Sequence, residues 1–111
     1  MVTIRGAITC QNTKESIGEQ AKKLVSEIML QNNLINDDVL AVVFSATKDI
    51  DKANPATATR LGLGLDKTSF FCVQEMHVEG GLAQCLRVLM FTNKQIDKID
   101  VYLDGAANLR K

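Results

Sequence analysis

The stretch CLRVLM, residues 85–90, sets one arginine in the middle of an apolar run. Drawn as a strand, it puts Cys85, Arg87 and Leu89 on one face and Leu86, Val88 and Met90 on the other, and both faces read as buried. A guanidinium cannot shed its charge, so it needs anionic side chains or an anionic ligand to offset its desolvation. Arg5, in VTIRGAIT at 2–9, is a second strand arginine and shares a face with Thr3, Ala7 and Thr9. Glu75 supplies a carboxylate in SFFCVQEMHV, Tyr102 a phenol in IDVYLD, and Arg60 a further cation. Taken singly, each is more commonly a solvated or structurally paired side chain. As a group on otherwise buried strands they are costly unless paired or functional.

Other chemistries find less support. His77 is the only histidine, and with Glu79 it offers too few ligands for zinc or iron, so no metal is expected. Cys72 and Cys85 read as small buried hydrophobes, since no second histidine or nucleophile signature accompanies them. GLGL at 62–65 lacks the third glycine and the preceding strand of a dinucleotide fingerprint.

A chain of 111 residues, 46% apolar and 23% charged, is expected to form one domain over 1–111 around a single core. Thirteen basic residues balance thirteen acidic ones, so no global field draws nucleic acid or an acidic membrane, and any anion site must be local. Three cysteines without a CxxC pair or a secretory leader point to a reducing cytoplasm. The longest apolar run, VLAVVF at 39–44, is far short of the ~20 residues of a membrane helix, so a soluble protein is expected.

The elements that must position the charged group follow from periodicity. Residues 2–9 form the first strand. Asn12 or Thr13 caps a long helix whose apolar stripe is Ile17, Ala21, Leu24, Val25, Ile28 and Met29, ending near Asn32 or Asn33. VLAVVFSAT, after the turn-like NDD at 36–38, reads as a central strand buried on both faces. Asn54 to Gly62 has a capping Asn, Pro at the first helical position and a terminating Gly, which makes a short helix with Arg60 near its end. Residues 69–78, 85–92 and 99–104 complete five strands, with Gly80 and Gly81 marking a turn. The leucines of GLAQCLRVLM would also suit a helix; Val88, Phe91 and Thr92, with the two glycines before them, favour the strand. The order implies an α+β, α/β-like domain: a five-stranded mixed sheet on one long helix plus a short one. One long helix cannot cover both faces, so further copies of the chain are expected on the other.

IRGA at 4–7, SAT at 45–47, PATATR at 55–60, CVQEM at 72–76, GGL with CLRV within 80–88, and VYL with LR within 101–110 occur together in this order. The set resembles the monofunctional chorismate mutases of the trimeric bacterial type, whose subunits form a pseudo-α/β barrel, as distinct from the all-helical chorismate mutases. The resemblance spans essentially the whole chain. It implies a homotrimer with sites between subunits, and the intramolecular Claisen rearrangement of chorismate to prephenate on the way to phenylalanine and tyrosine. No cofactor, metal or proton transfer is implied.

By the same resemblance Arg87 is the cation at the ether oxygen, and Glu75 accepts the ring hydroxyl and orients Arg87. Arg5 and Tyr102 hold the side-chain carboxylate. Cys72, Ala56 and Arg60 line the ring from a neighbouring subunit, with Arg60 near the ring carboxylate, and Leu109 closes the mouth. Asn54 and Thr57 stand where some relatives carry an aromatic and a lysine, so ring packing and one auxiliary cation differ. The chain also lacks the tail some relatives extend past Lys111, which implies reduced closure. Two rival readings are a non-catalytic trimeric module for small carboxylates and an enamine/imine deaminase-like enzyme of similar architecture. The joint presence of Arg5, Glu75, Arg87 and Tyr102 favours the mutase.

Overall fold

The computed structural model describes residues 1–109. Its elements are β1 (Val2–Thr9), α1 (Lys14–Gln31), β2 (Val39–Ala46), α2 (Pro55–Leu63), β3 (Ser69–Gln74), β4 (Cys85–Thr92) and β5 (Val101–Leu103). Single 3-10 turns cover Asn36–Asp38 and Asp104–Ala106.

The strands form one five-stranded sheet in the order β3-β2-β4-β1-β5. β4 runs antiparallel to both β1 and β2, while β5 is parallel to β1 and β3 to β2, so the sheet is mixed as expected. β2 is interior, but the middle position belongs to β4. Alternation decides the rest. Ile4, Ile8, Val42, Phe44, Leu86, Val88 and Met90 point to one side, where they form the main core with Ile17, Ala21, Leu24, Val25 and Ile28 of α1 and with Ala56 of α2. Both helices therefore cover one face. The other face carries Arg5, Val43, Ser45, Arg87 and Leu89, and at its β3 edge Phe71 and Val73 are 66% and 41% exposed.

Local signals explain the boundaries. Thr13 caps α1 by accepting the Ser16 amide at 3.1 Å, and Asn32 closes it by returning its own amide to the Ile28 carbonyl. Asn54 caps α2 through the Ala56 amide, and Pro55 opens the helix. α2 runs past Gly62, the expected stop, to Gly64, whose φ of 67° is the left-handed conformation that ends helices. The third strand stops at Gln74 rather than 78, because beyond the Glu75 amide, which bonds the Ala46 carbonyl, the chain leaves the ladder. The fifth strand shrinks to three residues.

Gly6 marks the closest approach of the layers. A Cβ there would lie 2.8 Å from Ile28 Cδ1 and 2.9 Å from the Val101 carbonyl oxygen, so α1 and β5 could not both keep their places. Gly6→Ala is expected to cost ~1 to 3 kcal/mol by overpacking. A lowered urea midpoint would show it, and an unchanged midpoint would mean that the layers can part without cost.

Candidate functional site

Register brings the charged group together. Ser45 of β2 pairs with Arg87 of β4, Arg87 with Ala7 of β1, and Ala7 with Tyr102 of β5, so the four lie in one row across the sheet. Arg5 stands one pleat repeat from Ala7 on the same face, about 7 Å along the strand. Only the Ala7 methyl lies in the row between the guanidinium and the phenol. Leu109 packs with Ala7, Cys85, Ala106, Leu82 and Tyr102 at this end of the sheet.

Glu75, the first position past β3 and two residues beyond Val73, which pairs with Ser45, reaches back to the row with its side chain. Its Oε1 lies 2.6 Å from Arg87 Nε and accepts the Ser45 hydroxyl at 3.3 Å. Arg87 Nε is buried, and its N–H is not directed along a hydrogen-bond line to that oxygen, so the ion pair leaves its directional capacity unused. The Arg87 side chain keeps 39% exposure and Glu75 24%, an opening from which a ligand could reach both. Arg5 is exposed, and its backbone amide bonds Asp100 Oδ1 at 2.9 Å. Burial works against the Asp100 carboxylate, yet the Arg5 amide and Lys98 together hold its pKa below the usual carboxylate range.

Arg87 lies between two clefts. One, of about 310 Å³, is lined by Arg5, Ser45, Arg87, Leu89 and Tyr102. The other, of about 200 Å³, is lined by Asp49, Glu75, His77, Leu82 and Arg87. The 47–49 turn anchors the start of β4 beside them. Thr47 Oγ1 accepts the Cys85 amide at 3.0 Å and donates to Asp49, whose carboxylate accepts the Gln84 amide at 3.0 Å. The Thr47 hydroxyl holds the Asp49 carboxyl below its ordinary pKa, against a smaller desolvation.

Ser45 and the Thr47–Asp49 turn were not among the site residues expected from sequence. SAT was a visible motif, but which of its hydroxyls meets Glu75 depends on the β2–β3 and β2–β4 registers.

Cys72, Ala56 and Arg60 lie elsewhere. Cys72 pairs with Phe44 and packs against the main core with Ala56, on the helix-covered side, and Arg60 is exposed on α2. A third cleft there, of about 320 Å³, is lined by Asn54, Pro55, Cys72 and Gln74, and by none of Arg5, Glu75, Arg87 or Tyr102. The single chain thus separates the expected residues into two sets. The Asn54 Oδ1 is occupied in capping α2, which leaves its amide nitrogen as the group it can offer. Arg110 of the LR motif lies outside the described residues.

Burial disfavours the thiolate form at all three cysteines. Burial, with Cys85 nearby, pushes Cys10 up to about 11. Burial likewise raises Cys72, and it raises Cys85 despite Arg87. Among the described residues no group of three or more His, Cys, Asp and Glu is placed to hold a metal ion, and no helix is long and apolar enough to cross a membrane.

Two arginines, one oriented carboxylate and a phenol on one sheet face gather hydrogen-bond donors and fixed positive charge of the kind that suits a small anionic ligand. The profile of the family described as chorismate mutase type I matches residues 1–111. The chorismate mutase AroH of Bacillus subtilis (strain 168) is 38% identical over 111 residues, covering 96% of this chain and 87% of the relative. That of Thermus thermophilus is 33% identical over 112 residues, covering 96% and 91%. A solved chorismate mutase structure from Clostridium thermocellum superposes with a TM-score of 0.92 at 38% identity, covering 96% of this chain and 97% of that one. The chain belongs to the chorismate mutase type I family and is an isomerase of that activity.

Proposed function

We propose that this chain, as one catalytic domain over 1–111, rearranges chorismate to prephenate in a cytoplasmic homotrimer whose sites lie between subunits. The observation that carries the site is the row Ser45, Arg87, Tyr102 with Glu75 on the Arg87 guanidinium and Arg5 one repeat away. In a Claisen rearrangement the ether C–O bond breaks as a new C–C bond forms within the same molecule. The two ends of a flexible dianion must be held together while electrons move toward the ether oxygen. Capture of the reactive conformer is entropy and orientation work. The electron shift is met by a fixed cation already in place.

Arg87 supplies that cation at the ether oxygen and a donor to the side-chain carboxylate. A guanidinium suits both tasks, since it stays charged and offers a rigid donor fork. Arg5 and Tyr102 grip the same carboxylate across the 310 Å³ cleft. Glu75, steadied by Ser45, accepts the ring hydroxyl and keeps Arg87 oriented. Leu109 closes the mouth from beside Tyr102. Ala56, Arg60 and Cys72 of a second copy line the ring, with Arg60 at the ring carboxylate. The half-open face supports this assembly: Phe71 and Val73 lie exposed on it beside Val43 and Leu89, and none of the described residues covers them.

Loss of chorismate absorbance with prephenate as product tests the reading. Inert chorismate in the presence of folded protein would overturn it. No proton is transferred and no cofactor is used, so the rate should show no bell-shaped dependence through neutral pH. His77 lines the smaller cleft but is exposed, and His77→Ala should leave turnover nearly unchanged. A hundredfold loss, ~2.8 kcal/mol, would mean that the imidazole takes part.

A further inference from the structure

β5 has only three paired residues and lies at a sheet edge, yet it carries Tyr102, and Leu109 follows six residues after the strand ends. So short a parallel pairing is a weak support for a substrate-gripping phenol. The turn that follows is held by a set of polar contacts that the mechanism does not use. Gln20 Nε2 of α1 donates to Asp104 Oδ2 at 2.6 Å and also to the Thr9 carbonyl at 2.9 Å. Lys23 Nζ lies 3.3 Å from Asp104 Oδ1. The Gly105 amide donates to Thr9 Oγ1 at 2.9 Å, and a Cβ on Gly105 would fall 2.7 Å from the Thr9 side chain.

Asp104 itself adopts φ 52°, a conformation that Asp and Asn tolerate better than other residues with a Cβ. Beyond it the chain turns through Asp104–Ala106, Ala106 is fully buried, and the Leu109 amide bonds the Ala106 carbonyl at 3.0 Å. The Gln20 hydrogen bond holds the Asp104 carboxyl below the usual range against some desolvation, with Lys23 adding to it. The carboxylate is thus the form that the contacts favour.

We infer that Asp104 and Gln20 are positioning residues: they clamp the turn after β5 to α1 and to the end of β1, and so fix Tyr102 and Leu109 over the substrate carboxylate. This deepens the proposed function and rests on its placing of Tyr102 in the site. The clamp acts on binding rather than on the bond change, because Arg87 sits on β4, a separate strand whose start the Thr47–Asp49 turn anchors through the Gln84 and Cys85 amides.

The chain offers a direct reporter. It contains one tyrosine and no tryptophan, so tyrosine fluorescence reports Tyr102 alone. Asp104→Ala and Gln20→Glu remove the contact from its two ends, the second without changing shape, since a carboxylate cannot donate to Asp104 or to the Thr9 carbonyl. Both are expected to lower the tyrosine anisotropy and to raise KM roughly tenfold, with kcat within about twofold of the parent. Asp104→Asn keeps an acceptor for Gln20 and tolerates the positive φ, so it should restore both readouts. Tyr102→Phe provides the separate check on the underlying reading. Lower anisotropy in the clamp variants with an unchanged KM in Tyr102→Phe would keep the clamp and remove Tyr102 from the carboxylate site. Unchanged anisotropy and KM in Gln20→Glu, whose fold is set by the rest of α1, would overturn the inference whatever Asp104→Ala does.

Discussion

Arg87→Met is expected to stay folded, to melt at or above the parent temperature, and to lose nearly all turnover. The stability half follows from the geometry of the ion pair. Arg87 is more than a third exposed, and its Nε–H is not directed along a hydrogen-bond line to Glu75. Glu75 keeps the Ser45 hydroxyl and access to water when the guanidinium goes. The charge left behind is therefore not stranded as in a closed core, where removing one partner is severely destabilising. Arg5 stands on the same face, so an empty site holds two like charges near each other, and a flexible apolar side chain relieves that.

The activity half follows from what replaces the cation. Methionine cannot donate to the ether oxygen or to the carboxylate, and removal of a single charge-stabilising donor costs ~3 to 4 kcal/mol of transition-state stabilisation. The loss here should reach that size or exceed it. Arg87→Lys keeps the charge without the planar fork, and it should recover part of the rate only. Prephenate formed at the parent rate by Arg87→Met, or a variant that fails to fold, would make this arginine a structural residue.

The part of the site that could be read from sequence was the part with local periodicity. Alternation in CLRVLM and VTIRGAIT sufficed to set Arg87 and Arg5 on definite faces, and the structure keeps those faces. The pair Asn12 and Thr13, of which Thr13 is the cap, and Asn54 with Pro55 announced two helix starts because capping is a property of adjacent residues. The stop of α2 was less legible. Gly62 and Gly64 are equivalent as letters, and only the backbone shows which of them turns left-handed.

Pairings between distant strands were less legible still. That Glu75 reaches Arg87 depends on β3 joining β2 in parallel and β2 joining β4 in antiparallel register, and a one-residue slip in either would turn the carboxylate away. Ser45 was missed for the same reason. The clamp on Asp104 spans 84 residues from Gln20 and carries no periodic signal at all.

The separation of the expected residues into two sets makes the assembly testable by mixing. Arg87 stands on the open face of β4, whereas Arg60 stands on α2 on the side of the sheet where the helices pack. If one chain supplied both to the same site, a chain lacking either would be defective wherever it sat. If the site lies between subunits, an Arg87→Ala chain still offers a good Arg60, and an Arg60→Glu chain still offers a good Arg87.

Subunits refolded together in equal amounts should assemble at random. Half of the Arg87 positions are then intact, and half of those face an intact Arg60, so about one site in four of a cyclic trimer should work. Each variant alone should be nearly inactive, Arg60→Glu because it sets a carboxylate against the ring carboxylate. Their mixture should rise to roughly a quarter of the parent rate, far above the sum of the two backgrounds. Arg60→Glu is preferred to Arg60→Ala because reversal of the charge makes the single-variant loss large enough to read. A mixture no more active than its components, with sedimentation showing that mixed trimers had formed, would place both arginines in one subunit's site or take Arg60 out of it. A monomer with full activity would remove the shared site altogether, and the exposed Phe71 and Val73 would then need another explanation.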